Sequence, residues 1–275
     1  ALFAAFPPAY ATTFSGFYLA VMLVLFGLIV RAVSFEFRAH DPRWARVWDA
    51  CFVVGSLLPA LLLGVAVGNA FAGIPLAANG DYAGVPLLGL ITPFTLLVGL
   101  LGCVMCLAAG SLWVALKTPV ESAIRARARK LSRVLQACVV VLFVAASAYA
   151  LLGVRPEIEG AMWPLCWVFA AAFLVCIGAS LYVGQAHGRD LAAFILQSVG
   201  AVVLVALLAV SMFPNLVVAV PGSAGATITA ASAASSELSL AWMTGIAAIG
   251  VPLVLVYHVI VYRTFRGRLS EKDVA

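Results

Sequence analysis

Long apolar runs alternate with shorter polar connections along the whole chain. A helix needs about 20 predominantly apolar residues to cross the hydrocarbon core of a bilayer, and seven runs reach that length. They predict membrane-spanning helices at about 11–31, 48–72, 91–116, 133–153, 162–184, 191–213 and 239–262. The predicted fold class is therefore an all-α integral membrane protein with a helix-bundle architecture, forming a single membrane domain over 1–275.

The chain opens with an apolar piece that is too short to cross a bilayer. Ala1 to Phe6 run directly into Pro7-Pro8, ahead of the first long apolar run. We interpret residues 1–8 as the tail of a helix whose beginning is missing, and we expect the chain to be an N-terminally truncated fragment.

Composition supports the membrane assignment. Hydrophobic residues make up 65% of the chain and charged residues 10%, whereas a water-soluble domain has about 25% charged residues. Outer-membrane barrels are excluded as well, because their strands alternate apolar and polar residues and these runs are continuous. All six Cys lie in apolar runs, where they are expected to be buried small hydrophobic side chains.

The basic residues fall almost entirely in alternate connections. Of sixteen Lys and Arg, fifteen lie in or beside the connections 32–47, 117–132 and 185–190 and the C-terminal tail, and only Arg155 lies in the other set. Because cytoplasmic loops of membrane proteins are enriched in Lys and Arg, these connections are predicted to be cytoplasmic. The N-terminus is then outside and the C-terminus is cytoplasmic.

Local signals refine the helix pattern. The run TPVE at 118–121 combines an N-cap residue, a first-turn proline and a third-position glutamate, so a cytoplasmic helix is predicted to start there and to continue into the fourth span. Its Arg-rich first turns are expected near anionic lipid. Pro59 and Pro252 lie well inside spans and are expected to kink them.

The spans themselves offer little ionisable chemistry. No Asp, Glu, Lys, Arg or His lies in the middle of a predicted span. Intramembrane ionisable residues usually mark proton and ion pathways, so this pattern argues against a complete central proton relay in this chain. Asn69, Gln136 and Gln197 are the deepest polar side chains and are expected to make contacts between helices.

The three His residues do not offer a haem site. His40 and His187 fall in predicted cytoplasmic connections, and His258 lies about one turn from the cytoplasmic end of the last span. A haem needs axial ligands that face the interior of a bundle, and no two such ligands are paired here. The sequence therefore predicts no haem and no metal bound by this chain. The last span has no Lys for a retinal Schiff base, which argues against a seven-helix photoreceptor.

The remaining chemistry is concentrated where the first two spans meet. Four charged residues, hereafter the polar mouth, lie at or between the cytoplasmic ends of these spans: Arg31, Glu36, Arg38 and Asp49. Trp44 and Trp48 lie among them. In one interpretation these residues are interfacial anchors, with Asp49 as an N-terminal acid that favours the helix dipole. In the other they carry protons inward, with an Arg that keeps nearby carboxylates ionised.

A series of sequence blocks resembles subunit II of cytochrome bd-type terminal oxidases, a family that includes bd ubiquinol and cyanide-insensitive enzymes. The blocks are GFYLAVMLVLFGLIVRAVSFEFR, RWARVWDACFVVGSLLPALLLGVAVGNAFAGIPL, TPFTLLVGLLG, GSLWVALKT, SMFPN and SSELSLAWMTGIAAIGVPLVLVYHVIVYRTFRGR. They are colinear with the family and cover essentially the whole chain. The family's second subunit has nine spans, of which this fragment would supply the last seven.

The resemblance implies a subunit of a quinol oxidase in the bacterial inner membrane. Subunit I of the heterodimer carries two b-type haems, one d-type haem and the quinol site, and subunit II is haem-free in the best-known members. The complex reduces O2 to water with electrons from quinol, takes protons from the cytoplasm and separates charge without pumping. By family position, the polar mouth matches the family's charged set, and Trp44 and Trp48 match its aromatic residues.

The sequence leaves two other functional classes open. A multi-span secondary transporter would show broken helices and polar residues near the midplane, for which Pro59 and Asn69 give slight support. A purely structural membrane scaffold would differ only in having silent charges at the polar mouth. The resemblance also leaves open the quinone type, a structural quinone in this chain and a small single-span third subunit.

Overall fold

The structure of the chain, a computed structural model, describes residues 2–40, 42–154, 162–186, 188–265 and 267. Seven of its helices are long and apolar enough to cross a membrane, which confirms the predicted all-α multi-span fold. The helices of the described part are α1 (Leu2–Ala5), α2 (Pro7–His40), α3 (Ala45–Ala72), α4 (Pro93–Lys117), α5 (Ala123–Tyr149), α6 (Trp163–Ala186), α7 (Asp190–Met212), α8 (Ala230–Ala233) and α9 (Glu237–Thr264). A π-helical turn, Ala150–Val154, extends α5. Of the residues named from the sequence, Ala1, Arg155 and His187 lie outside the described residues, as do the basic residues of the C-terminal tail at 266, 268 and 272.

The charged connection between the first two spans is mostly helical, so the helices extend beyond the predicted spans. α2 continues through Arg31 to His40, a 3₁₀ turn covers Pro42–Trp44, and α3 begins at Ala45. At 1.5 Å per residue the 34 residues of α2 are about 51 Å long, against about 30 Å of hydrocarbon. Arg and Glu favour helix, so α2 outlasts the apolar run on which the prediction was based.

The run at 118–121 does not begin a helix, contrary to the prediction. Thr118 instead ends α4, and its hydroxyl donates to the carbonyl oxygen one turn back at 2.7 Å. Proline disfavours a helical residue before it, and Thr118 preceding Pro119 is extended, with ψ of 151°. α5 begins at Ala123 with Ser122 as its N-cap, and from there it continues into the fourth span as predicted.

The long helices pack as a series of sequence neighbours. α2 packs against α3, α3 against α4, α4 against α5 and α6 against α7. α4 also contacts α7 and α5 contacts α6, so α4 to α7 form a four-helix group. In its core the ring centroids of Phe143 and Phe173 are 4.5 Å apart, and Val139 and Ile177 are fully buried beside them.

The two ends of the bundle differ in chemistry. At one end, hereafter the basic end, α2, α4, α6 and α9 finish and α3, α5 and α7 begin. Lys117 joins α4 to the end of α9 there, donating to the carbonyl oxygens of Phe265 and Gly267 at 2.5 and 3.2 Å. The opposite end, hereafter the loop end, carries a small antiparallel sheet of β1 (Asn215–Val217) and β2 (Ile228–Thr229).

Polar contacts tie the loops to the helices at the loop end. The Ile74 N–H donates to the Val218 carbonyl oxygen at 2.9 Å, which joins the loop after α3 to the loop after α7. Asn69 donates to the carbonyl oxygens of Val65 and Leu90 at 2.8 and 2.7 Å. Asn69 therefore fastens α3 to the segment before α4.

α9 is more exposed than the other spans. None of its residues is buried in this chain. Near the basic end its Tyr262 ring lies edge-on to Trp113 of α4, with centroids 6.0 Å apart. Both α3 and α9 continue as helices through the prolines they contain, Pro59 and Pro252.

Candidate functional site: two charged clusters at the basic end

Arg38 and Asp49 of the polar mouth form an ion pair between α2 and α3. The guanidinium donates through Nε to Asp49 Oδ1, and its Nη2 donates to Oδ2 at 3.5 Å. Asp49 is the fifth residue of α3 and lies just past its first turn, where the effect of the helix dipole is weaker. Both side chains are about half exposed (57% and 52%), so the pair contributes at most about 1 kcal/mol to stability.

Arg31 lies two turns before Arg38 on the same face of α2. Seven residues of α-helix advance about 10.5 Å and return to nearly the same direction. The guanidinium carbon of Arg31 is 5.6 Å from the centroid of the Phe52 ring, which is cation–π geometry. The seam between α2 and α3 therefore carries two positive charges, of which Arg38 reaches a carboxylate and Arg31 an aromatic face.

Glycines hold α2 and α3 close together behind the polar mouth. A Cβ on Gly55 would lie 2.6 Å from the carbonyl oxygen of Gly27 and 2.9 Å from the backbone nitrogen of Arg31. A Cβ on Gly27 would lie 3.1 Å from Pro59. Helices in membranes approach this closely only where side chains are absent or small, and the contact fixes the register of the α2–α3 pair.

Trp48 and Glu36 complete this region in different environments. The Trp48 ring packs against Phe37, with ring centroids 5.2 Å apart. Its indole N–H is buried and has no hydrogen-bond partner among the described residues, and such donors usually bind an ordered water. Glu36 is exposed, and within the described part of the chain its carboxylate joins no ion pair. The structure thus pairs Arg38 with Asp49 but does not bring Glu36 to them.

A second charged cluster, where α5 and α7 begin, is buried. Arg125 donates to Asp190 Oδ2 through Nε, at 3.1 Å, and through Nη2. Arg129, one turn further along α5, places its Nε 3.3 Å from Asp190 Oδ1. The side chains of Arg125 and Asp190 are only 8% and 3% exposed. Two guanidinium groups thus contact both oxygens of one carboxylate.

Neutral polar side chains form a layer two turns deeper between α5, α6 and α7. Gln136 Nε2 donates to Ser180 Oγ at 2.7 Å and to Gln197 Oε1 at 3.2 Å. Ser180 Oγ in turn donates to the Ala193 carbonyl oxygen at 2.6 Å. The Nε2 of Gln197 is buried and finds no partner in the described structure. These bonds confirm that Gln136 and Gln197 make contacts between helices.

Sequence reasoning did not identify Asp190 as a site residue. A usable signal was present, because Asp190 is the only carboxylate between Glu159 and Glu237 and it directly precedes the predicted span 191–213. The predicted topology also places it at the same end of the bundle as the Arg-rich start of the fourth span. Only the packing of α5 near α7 brings the opposite charges together.

The two His side chains that the structure describes, His40 and His258, bond within their own helices. The Nδ1 atom of His258 is 2.8 Å from the Val254 carbonyl oxygen of its own helix, and that of His40 is 3.0 Å from the Glu36 carbonyl oxygen. Both rings are exposed. Among the residues described, no three His, Cys, Asp or Glu side chains are grouped so that they could hold a metal ion.

Comparison with known proteins matches nearly the whole chain to one family. Residues 1–265 match the family described as cytochrome bd terminal oxidase subunit II. The chain belongs to this family. Cytochrome bd-I ubiquinol oxidase subunit 2 of Escherichia coli K12 is 29% identical, over 100% of this chain and 80% of its own length. Cytochrome bd ubiquinol oxidase subunit 2 of Bacillus subtilis 168 is 31% identical, over 99% and 79%. Probable cytochrome oxidase subunit 2 of Haemophilus influenzae is 31% identical, over 100% and 80%.

Membership in the cytochrome bd subunit II family confirms the resemblance drawn from the sequence blocks. It also excludes the transporter alternative. The chain is a multi-pass membrane protein, and its ubiquinol oxidase relatives are subunits of an oxidoreductase complex.

Proposed function

We propose that this chain is the haem-free second subunit of a quinol:oxygen oxidoreductase in the bacterial inner membrane. It packs against a subunit I that carries two b-type haems, one d-type haem and the quinol site. The basic end faces the cytoplasm, and the polar mouth takes up protons for the reduction of O2. The observation that carries the proton-uptake role is the Arg38–Asp49 ion pair, in which a carboxylate lies between α2 and α3 near the basic end.

The chemistry of the complex sets what this subunit must do. Two quinols release four protons on the outer side and give up four electrons, and one O2 takes up these electrons with four cytoplasmic protons to form two waters. The haems of subunit I would supply the electron transfer and the oxygen chemistry. Release and uptake on opposite sides separate charge without pumping, and each charge stores about 2.3 kcal/mol per 100 mV.

The polar mouth has the groups that proton uptake requires. The Glu36 carboxylate is exposed and forms no ion pair in the described structure. It can therefore take a proton from bulk water. Arg38 holds the Asp49 carboxylate at the start of the seam between α2 and α3. The buried Trp48 N–H, which has no hydrogen-bond partner among the described residues, would hold an ordered water in the same turn of α3 as Asp49.

The spans beyond the polar mouth would insulate the oxygen site. No Asp, Glu, Lys, Arg or His lies in the middle of a predicted span, so these helices lack the charged side chains that usually mark a proton path across the bilayer. The subunit would thus admit protons from one side and exclude them from the other.

Charge-neutralising variants of the complete oxidase complex test this proposal. Glu36→Gln, Asp49→Asn and the double variant are assembled with subunit I in proteoliposomes, where O2 consumption and proton uptake are measured together. Positioned proton-transfer groups usually contribute about 10²- to 10⁴-fold to a rate. We expect the double variant to lose at least about tenfold, since water can partly replace an exposed carboxylate.

Glu121→Gln is the matched control, because Glu121 is an exposed carboxylate at the basic end between α4 and α5. It should leave both rates unchanged. If the assembled double variant consumes O2 and takes up protons at wild-type rates, the polar mouth only anchors the helices and the subunit is a scaffold. Haem that remains with this chain when the subunits are separated would contradict the haem-free assignment.

A further inference from the structure

A groove opens between α5 and α6 near the basic end. It has a volume of about 300 Å³ and is lined by Arg133 of α5 and by Gly178, Leu181, Tyr182 and Gln185 of α6. The four α6 residues are spaced by three, four and seven positions from Gly178, so they form one stripe on a single helix face. Along the axis this stripe is about 10 Å long.

The groove is polar toward the basic end and apolar further in. At the polar end, Arg133 Nη2 donates to Gln185 Oε1 at 2.6 Å. Two turns deeper, Gly178 leaves the floor open, because a Cβ there would have no neighbouring atom within 4 Å. Between these ends lie the Leu181 side chain and the exposed ring of Tyr182.

The positive charge of Arg133 is not balanced by a carboxylate in the part of the chain that the structure describes, since the ion pairs there involve other residues. Its hydrogen-bond partner Gln185 is neutral. The Nε2 atom of Gln185 donates in turn to the Arg129 carbonyl oxygen at 3.1 Å, which fixes the side chain. A guanidinium has five N–H donors in a fork that matches phosphate oxygens. Arg133 is therefore positioned with donors left for an anion.

We propose that this groove binds one anionic phospholipid, with its phosphate on Arg133 and one acyl chain along the stripe from Gln185 to Gly178. Arg133 lies ten residues, about 15 Å, from the start of α5, where the helix passes from its charged part into its apolar run. That is the level of lipid headgroups. Exposed Lys130 adds positive charge on the same helix.

The shape of the groove favours a lipid over a soluble anion. Inorganic phosphate would use Arg133 and leave the apolar stripe unfilled. A volume of about 300 Å³ lies at the lower limit of ligand pockets, which suits part of one acyl chain below a headgroup. The inference does not depend on proton uptake by the polar mouth.

Native mass spectrometry of the complete oxidase complex, titrated with phosphatidylglycerol or with phosphatidylcholine of the same chains, tests this site. The native complex should bind one phosphatidylglycerol more tightly than phosphatidylcholine. Arg133→Gln should weaken phosphatidylglycerol binding about fivefold, the equivalent of about 1 kcal/mol for one basic residue near anionic lipid. Gly178→Leu should weaken the same binding by filling the groove without changing charge.

Arg127→Gln is the matched control, because it removes the same charge from the same helix at a position about 120° away around its axis. Equal losses in Arg127→Gln and Arg133→Gln would overturn the site, since surface charge alone would then explain the binding. Unchanged binding in Gly178→Leu, or full competition by inorganic phosphate, would overturn the acyl-chain groove. The same spectra show whether both subunits are present, so a failure to assemble is separated from a loss of lipid.

Discussion

Asp190 accepts hydrogen bonds from Arg125, a residue 65 positions earlier in the chain, in a buried site at the basic end. Arg129 contacts the second oxygen of the same carboxylate. One acid thus joins the beginnings of α5 and α7 inside a helix group whose core is otherwise largely apolar. Because the charges are buried, removal of one partner should lower the free energy of unfolding far more than it does at the exposed Arg38–Asp49 pair.

Asp190→Asn keeps the size of the side chain and removes its charge. The Arg125 guanidinium would then be buried without a counter-charge, and we expect the complex to lose about 3–5 kcal/mol of stability. The midpoint of thermal unfolding of the purified complex measures this loss. Asp49→Asn is the control, and its exposed pair should cost at most about 1 kcal/mol.

A double variant separates loss of the ion pair from damage to packing. Arg125→Met combined with Asp190→Leu removes both buried charges, and Arg129 is exposed enough to turn toward water. This double variant should be more stable than Asp190→Asn alone, because no buried charge is left unpaired. If Asp190→Asn instead unfolds at the wild-type temperature, Asp190 does not compensate Arg125.

The hydrogen bonds among Gln136, Ser180 and Gln197 predict which of two glutamine variants destabilises the complex more. Gln136→Leu leaves the buried Gln197 side chain without its described hydrogen bond, which should cost about 1–3 kcal/mol. Gln197→Leu removes a donor that is already unpartnered, and Gln136 keeps its bond to Ser180. Thermal unfolding should therefore rank Gln197→Leu as the milder change. The reverse order would mean that a strongly held water satisfies Gln197.

The contact between α2 and α3 predicts that Gly55 does not tolerate a side chain. Gly55→Ala would place a Cβ 2.6 Å from the Gly27 carbonyl oxygen, so the helices must separate, at a cost of about 1–3 kcal/mol. Gly110→Ala is the matched control, since a Cβ at this helical position has no atom within 4 Å. It should be neutral or stabilise by up to about 1 kcal/mol. Thermal unfolding of the two variants compares them, and equal midpoints would contradict the close approach.

The sequence by itself determined the number of spans and the residue types of the polar mouth. A span is a local property, because about 20 consecutive apolar residues are sufficient to cross the hydrocarbon core. The charged set at the basic end was visible for the same reason, as Arg31, Arg38 and Asp49 interrupt or border the apolar runs. The ends of α2 and α5 were not visible in the apolar runs, because these helices continue through charged residues beyond the apolar pattern.

Only the tertiary structure decided which charges meet. Arg38 pairs with Asp49 while Glu36 stays apart, because the close packing of Gly27 and Gly55 sets the register of α2 against α3. Asp190 acquires its partners because α7 begins beside α5, across 65 residues of chain. A helix pattern specifies which face is apolar but not which helix lies against it, so contacts between distant residues follow from packing alone.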